Sequence, residues 1–257
     1  MPADAVPASS SARTASVSSA LRSELAPTGR LRAGMNLSNA LFTQKDPATG
    51  ALRGVSVDLM TELASRLGVP LELVVYPTPG EVADDAAADK WDVAILAIEQ
   101  ARAEKIAFSP PITAIEATYI VHDDSPLHDA AKGDAAGVRI AAPEKAGYEL
   151  FLARTLQHAT LLRAKNFAGS LELFRSRQAD ALAGLKPTLL ETLPQLAGCR
   201  LLDGTFMTVN HGLGIPRGRA AGANFVAAFV DELVASGFIA RAIERNGVQG
   251  LAAVRRG

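Results

Sequence analysis

Short apolar segments alternate with amphipathic segments of helical period along most of the chain. The segment Val93 to Ile98 is unbroken, short and rich in β-branched residues, which is typical of a strand covered on both faces of a parallel sheet. Ahead of it, Leu59, Leu63 and Leu67 repeat every fourth residue and Gly68 follows, which predicts a helix that ends there. Alternating strands and helices of this kind predict an α/β fold.

This strand–helix alternation occurs twice. The first series has predicted strands at 31–36, 71–75 and 93–98, and the second at 138–142, 160–163 and 180–184. Two further β-like segments, 114–121 and 206–215, connect the series. We therefore expect two αβ lobes joined by two crossings, with a ligand cleft between them. The predicted boundaries are 27–121 plus 207–257 for lobe 1 and 122–206 for lobe 2, after a disordered lead-in over residues 1–26, which are rich in Ala, Ser and Pro.

Composition excludes several classes of function. The 257 residues are 48% hydrophobic and 21% charged, and the net charge is −1 with scattered basic residues, so we expect no nucleic-acid partner. Cys199 is the single cysteine, and the four histidines lack metal-binding spacing, which argues against a disulfide and against a zinc site. We expect no cofactor, no metal and a monomer.

The first 26 residues also bear on location. They lack a basic start followed by an apolar segment, so they do not resemble a secretory signal. As written, the chain is predicted to be cytoplasmic. It would be periplasmic if the true start lies upstream or a signal has been removed.

Candidate ligand contacts cluster where predicted strands end. Asn36 closes the first strand, and Ala97, Glu99 and Arg102 lie at or just after the end of the central one. In open α/β sheets, ligands bind beyond the carboxyl ends of the strands. Arg102 is the leading candidate because a guanidinium can hold a carboxylate with two parallel hydrogen bonds. Its alternative role is a surface charge at a helix start.

The segment that begins at Asp92 reads D-V-A-I-L-A-I-x-x-A-R-A-E-K-I-A-F-S-x-P. It resembles the signature of the amino-acid-type, family 3 bacterial solute-binding proteins of ABC transporters. Similar segments occur at residues 31–36, 54–59 and 237–239, so the resemblance spans roughly residues 30 to 247. It implies a type II periplasmic-binding fold whose lobes close on a ligand, and ABC transporter membrane subunits as partners.

The resemblance also implies site residues. It places Arg102 on the ligand carboxylate and Phe42 at the aromatic position beside the first strand. The ligand-binding loop of lobe 2 falls at Lys145-Ala146. The aspartate that holds an ammonium group falls near Leu185, which cannot pair with one, and Lys186 follows it.

These departures leave the nature of the ligand open. Arg102, Lys145 and Lys186 together would give the cleft surplus positive charge, suited to a carboxylate or dicarboxylate without an amino group. Glu99 or Glu144 could instead offer a carboxylate to an ammonium group. A buried charge needs such a partner, since an unpaired one costs several kcal/mol.

The remaining candidates have structural alternatives. His211 lies on the return crossing and could face the cleft or be a structural histidine. Phe42 could be a core residue, and Lys145 and Lys186 could be solvated.

The leading functional hypothesis is a non-catalytic protein that captures a small carboxylate-bearing metabolite, an amino acid or an organic acid. One alternative is a prephenate- or arogenate-type dehydratase on the same fold, with Glu99 or Glu144 as general acid. Another is a cytosolic ligand sensor.

Overall fold

The computed structural model describes residues 17–255. The strands are β1 Leu31–Asn36, β2 Gln44–Lys45, β3 Leu52–Arg53, β4 Leu71–Tyr76, β5 Val93–Ala97, β6 Ile106–Phe108, β7 Thr113–His122, β8 Arg139–Pro143, β9 Thr160–Ala164, β10 Ala181–Leu185, β11 Cys199–Leu201 and β12 Met207–Pro216. The α-helices are α1 Ser19–Leu25, α2 Val55–Leu67, α3 Pro79–Asp84, α4 Gln100–Ala103, α5 Gly147–Thr155, α6 Phe167–Arg175, α7 Lys186–Thr192, α8 Ala220–Ala235 and α9 Phe238–Arg245. Short 3-10 turns occupy Asp85–Ala88, Ala130–Lys132 and Leu193–Gln195.

The predicted α/β class is confirmed by one mixed sheet with the strand order β4-β1-β5-β12-β7-β10-β8-β9. Strand β6 pairs with β12 and strand β11 with β7, while β2 and β3 form a separate hairpin. This hairpin lies in the segment that carries the turn sequence Asp46-Pro47. No helix within residues 17–255 is long and apolar enough to cross a membrane.

Two groups of parallel strands flank the centre of the sheet. One group is β4-β1-β5 and the other is β9-β8-β10. In each group, the strand that comes first in the sequence, β1 or β8, lies in the middle and pairs with the other two. The long strands β7 and β12 run between the groups. β12 pairs with β5 through residues 211–214 and with β7 through residues 207–211, while residues 117–121 of β7 pair with β10. The predicted lobe boundaries fall within or beside these two strands and stay a prediction.

Helix α2 shows how the apolar pattern becomes structure. Leu59, Leu63 and Leu67 are fully buried on its inner face. The helix ends at Gly68, whose φ of 66° is left-handed, and the Gly68 N–H donates back to the carbonyls of both Ala64 and Ser65. A glycine adopts this conformation without the steric cost that a side chain would add.

The predicted disordered lead-in is wrong for its last residues, because residues 19–25 form helix α1. Ser18 caps the helix by accepting a hydrogen bond from the N–H of Leu21, at 3.1 Å. Leu25 is fully buried, and the Glu24 carboxylate accepts from the N–H of Gly222 in α8, at 2.7 Å. Residues 1–16 lie outside the described residues.

An arginine–aspartate pair occurs at the amino end of each parallel group. Arg32 on β1 pairs with Asp92 just before β5, at 2.8 Å, and Arg139 on β8 pairs with Asp180 just before β10, at 2.7 Å. Both pairs lie at the opposite strand ends from those that carry the predicted site.

Candidate ligand-binding site

A cavity of about 140 Å³ lies where the carboxyl ends of the two parallel groups meet. Asn36 of β1 and Ala97 of β5 line it from one group, and Pro143 of β8 and Leu185 of β10 from the other. Crevices at such strand ends are the usual ligand sites of open α/β sheets. Its volume is close to that of an engineered cavity of about 150 Å³ that holds benzene, so the space suits a small metabolite.

Five of the eight residues predicted for the site line this cavity: Asn36, Phe42, Ala97, Arg102 and His211. They reach it from the end of β1, the segment before the hairpin, the end of β5, helix α4 and strand β12. Residues that are distant in the chain therefore meet at the predicted edge of the sheet.

Arg102 is buried, with 5% of its surface exposed. Its guanidinium donates to two carbonyl oxygens, that of Ala97 at 3.1 Å and that of Lys145 at 2.8 Å. Burial lowers its pKa to about 10, against the opposing effects of Glu99 and Asp84. The group therefore stays protonated at neutral pH, and within residues 17–255 no carboxylate forms an ion pair with it. A ligand carboxylate would supply that partner.

His211 lies beside this cation. It pairs with Ala97 across β12 and β5, and its ring is 4.8 Å from that of Phe42. Burial first, and then the positive charge of Arg102, lower the imidazole pKa to about 3. The ring is therefore neutral at physiological pH, and its Nδ1 atom is buried without a hydrogen-bond partner within the described part of the chain.

Phe42 is held by the start of α2. Its carbonyl accepts hydrogen bonds from the amide of Ser56 at 3.0 Å and from the Ser56 hydroxyl at 2.8 Å. A Cβ on Gly54 would lie 2.3 Å from the same carbonyl, and its φ is 124°, so only glycine fits there. These contacts fix the aromatic ring against the cavity.

Contacts across the cleft hold the two sides together. The Lys145 ammonium lies 2.6 Å from the Asp84 carboxylate, and the Arg154 guanidinium 3.2 Å from that of Glu99. A Cβ on Gly147 would lie 2.5 Å from the Cβ of Ala97, so the start of α5 approaches the end of β5 very closely. This arrangement is a closed one.

The structure places Glu99, Lys145 and Lys186 outside the lining of the cavity. The side chain of each is engaged elsewhere, by Arg154, by Asp84 and by Glu116, respectively. The expected surplus of positive charge from the two lysines is therefore absent from the cavity. Lys145 contacts the site only through its backbone carbonyl, which accepts a hydrogen bond from the Arg102 guanidinium.

Glu149 sets the conformation of that carbonyl's loop. Lys145 has a left-handed φ of 57°, and its N–H donates to the Glu149 carboxylate at 2.8 Å. Glu149 is itself buried and paired with Arg163 at 2.7 Å. No local sequence motif indicated this network, because its members come from a loop, a helix and a neighbouring strand.

Several lining residues were missed from the sequence. They are mostly small or neutral polar residues, with one lysine: Thr43, Ser56, Thr78, Lys165, Asn166 and Thr188. Ser38 and Asn39 also line the cavity, and they belong with Asn36 to a polar cluster that the sequence places at the crevice end of the first strand. Leu185 lines the cavity from the last position of β10, near where the resemblance placed the family's ammonium-binding aspartate.

Two carboxylates were candidates for a general acid in the dehydratase alternative. Glu99 is buried but paired with Arg154 and absent from the lining. Glu144 lines the mouth of the cavity with an exposed side chain. Within residues 17–255, no cluster of three or more His, Cys, Asp or Glu residues could hold a metal ion.

The chain is similar to known proteins in sequence and in fold. The model of the family "Bacterial extracellular solute-binding proteins, family 3" matches residues 31–248. No curated protein matches the chain.

Solved structures of similar fold include a mutant of ArgBP from T. maritima, with a TM-score of 0.74, 22% identity and coverage of 90% of this chain and 100% of that one. The substrate-binding protein AbpA from Streptococcus pneumoniae, bound to L-arginine, has a TM-score of 0.72 and 20% identity, covering 86% and 96%. An ancestral amino acid-binding protein, a precursor of cyclohexadienyl dehydratase, has a TM-score of 0.72 and 23% identity, covering 88% and 99%.

Proposed function

Because this chain belongs to family 3 of the bacterial extracellular solute-binding proteins, we propose that it captures a small carboxylate-bearing metabolite for an ABC transporter. The ligand is an amino acid or an organic acid, and no chemical step is involved. Since the family is one of extracellular proteins, we propose that this chain functions in the periplasm or outside the cell.

The observation that carries the proposal is the state of Arg102. It is a buried cation that lines a cavity of about 140 Å³ and has two carbonyls but no carboxylate in contact within the described residues. Burying a charge without its counter-ion is costly, so the arrangement favours an anion as its ligand.

Hinge closure explains how the ligand is held. The ends of β7 and β12 are the links between the two sides of the cleft, and Arg102 reaches across to the Lys145 carbonyl. Closure around a carboxylate removes water from the ion pair and so strengthens it. The closed form would then present both sides together to the membrane subunits of a transporter.

Thermal unfolding with a panel of amino acids and organic acids tests the proposal, after native mass spectrometry of co-purified small molecules. A ligand at 100 times its Kd should stabilise the folded protein by about 2.7 kcal/mol. Arg102→Met should weaken binding at least about 100-fold, since a buried charge-assisted pair is lost. Arg30→Met is the matched control, because Arg30 is half exposed at the far end of β1.

The same panel separates the alternatives. No stabilisation by any acid would contradict the proposal. Release of phenylpyruvate from prephenate, lost in Glu144→Gln, would instead support the dehydratase alternative.

A further inference from the structure

The ionised side chains that line the cavity are unevenly placed. Among lining residues of the described chain they are Arg102, Lys165 and Glu144, two positive and one negative. Arg102 alone is buried, whereas Lys165 and Glu144 are exposed at the mouth. The interior is therefore positive, and a single negative charge would neutralise the whole site.

The buried carboxylates nearest this interior already have partners. Glu99 pairs with Arg154 at 3.2 Å. Glu149 pairs with Arg163 at 2.7 Å and accepts from the Lys145 amide at 2.8 Å. Neither lines the cavity, so neither is placed to receive an ammonium group from a ligand. Glu144 lines the cavity, but its side chain is exposed at the mouth, where water screens its charge from the interior.

The second parallel group closes the cavity with an apolar residue. Leu185 ends β10, is 7% exposed and lines the space that faces Arg102's side of the cleft. Thr188, one turn into α7, and Asn166 contribute neutral polar groups. Hydroxyl and amide groups pair with neutral oxygens on a ligand and do not compensate a full positive charge.

The lowered pKa of His211, which lines the same cavity, shows how this interior treats a positive charge. Burial and the charge of Arg102 lower the pKa of its imidazole to about 3, so the interior already rejects one cation. A ligand ammonium beside the carboxylate would meet the same loss of hydration and the same repulsion. His211 lines the cavity as a neutral ring, so it brings no negative charge that could pair with an ammonium group.

We propose that the ligand is a carboxylic acid without an ammonium group next to the carboxylate, such as a hydroxy, oxo or unsubstituted acid. This inference rests on the proposed function and narrows its ligand class. A zwitterionic amino acid would leave the interior with one uncompensated positive charge. A monoanion bound to Arg102 leaves none.

Matched pairs of acids test this inference by isothermal titration calorimetry on the full chain, after co-purified molecules are removed by unfolding and refolding. The pairs are L-lactate and L-alanine, L-malate and L-aspartate, 2-hydroxyisovalerate and L-valine, and phenyllactate and phenylalanine. Each pair keeps one carbon skeleton and exchanges hydroxyl for ammonium. In the tightest-binding pair, the hydroxy acid should bind at least tenfold more tightly than the amino acid.

Two leucine-to-aspartate variants, one inside the cavity and one outside it, complete the experiment. Leu185→Asp adds a carboxylate to the interior and should shift the preference at least tenfold toward the amino acid. Leu190→Asp adds a carboxylate in α7, five residues further along the chain at a half-exposed position, and should leave the preference unchanged. The wild-type comparison stands even if Leu185→Asp fails to fold.

The outcomes separate this inference from the proposed function. Less than a tenfold preference for the hydroxy acid in the wild type, with binding still lost in Arg102→Met, overturns the inference and keeps the proposed function. Failure of every acid to bind overturns both.

Discussion

At the amino ends of their strands, the parallel groups β4-β1-β5 and β9-β8-β10 carry the same arginine–aspartate pair. Arg32 donates through its amide, Nε and a terminal nitrogen to Asp92, at 3.0, 3.0 and 2.8 Å. Arg139 donates through the same three nitrogens to Asp180, at 2.8, 2.9 and 2.7 Å. The hydrogen-bond pattern is identical, although the sequences around it differ.

The two arginine–aspartate pairs differ in how deeply they are buried. The Asp92 side chain is fully buried and also receives Arg219 at 2.9 Å, whereas 39% of the Asp180 side chain is exposed. At the carboxyl ends the contrast continues, because the first group is followed by buried Arg102 and the second ends in Leu185. The first group therefore carries its arginine–aspartate pair and Arg102 in a dry interior, whereas the arginine–aspartate pair of the second group stays in contact with water. We expect the same substitution to have unequal effects in the two groups.

The largest effect is expected from Asp92→Ala. It leaves Arg32 and Arg219 without their buried counter-ion, which should lower the free energy of unfolding by about 3–5 kcal/mol. Asp180→Ala should lower it by at most about 1 kcal/mol, since its pair is solvent-exposed. Urea denaturation of both variants measures the difference. Equal losses would contradict a role for burial.

An intermediate effect is expected from pH at His211. The pKa of its imidazole is about 3 in the folded protein and about 6.5 when unfolded, so below pH 6.5 the unfolded state binds the extra proton. Protonation of this group in the unfolded state should therefore lower the free energy of unfolding by about 2 kcal/mol between pH 7 and pH 5. In His211→Asn, the free energy of unfolding should fall by correspondingly less over that range. Urea denaturation at each pH measures it. An identical pH dependence in both proteins would contradict a buried, neutral imidazole.

The smallest effects are expected from the ion pairs across the cleft. Glu99 is buried, whereas Asp84 and Lys145 are each more than half exposed. Both pairs form in the closed arrangement, so their loss disfavours closure and weakens ligand binding. Glu99→Gln should weaken binding by up to about tenfold and Asp84→Asn by less than about twofold. Calorimetry gives the affinities, and small-angle X-ray scattering with ligand reports closure. A larger effect from Asp84→Asn would reverse the comparison.

Much of the fold follows from local patterns. Apolar segments of strand length, leucines at helical spacing and Gly68 at a helix end were sufficient to place β1, α2, β4 and β5 in order. The position of Arg102 was also local information, because a charged residue directly after a buried strand must lie at the strand's carboxyl end. The same argument placed Asn36 and Ala97 on the cavity.

The charge of the cavity could not be predicted in this way. Lys145 and Lys186 are directed away by carboxylates 61 and 70 residues distant in the chain, and Lys165 lines the cavity instead. A lysine's direction depends on which carboxylate lies within reach of its long side chain, and that is a property of the assembled fold.

Helix α1 makes the same point for secondary structure. Seven residues form too short a helix to be stable alone, and the segment's composition favours disorder. Its stability comes from burying Leu25 and from a hydrogen bond between Glu24 and a residue 198 positions away. The sequence by itself determined which elements form and where their ends carry polar groups, whereas the tertiary structure decided which of those groups lose water, because burial depends on contacts between distant segments.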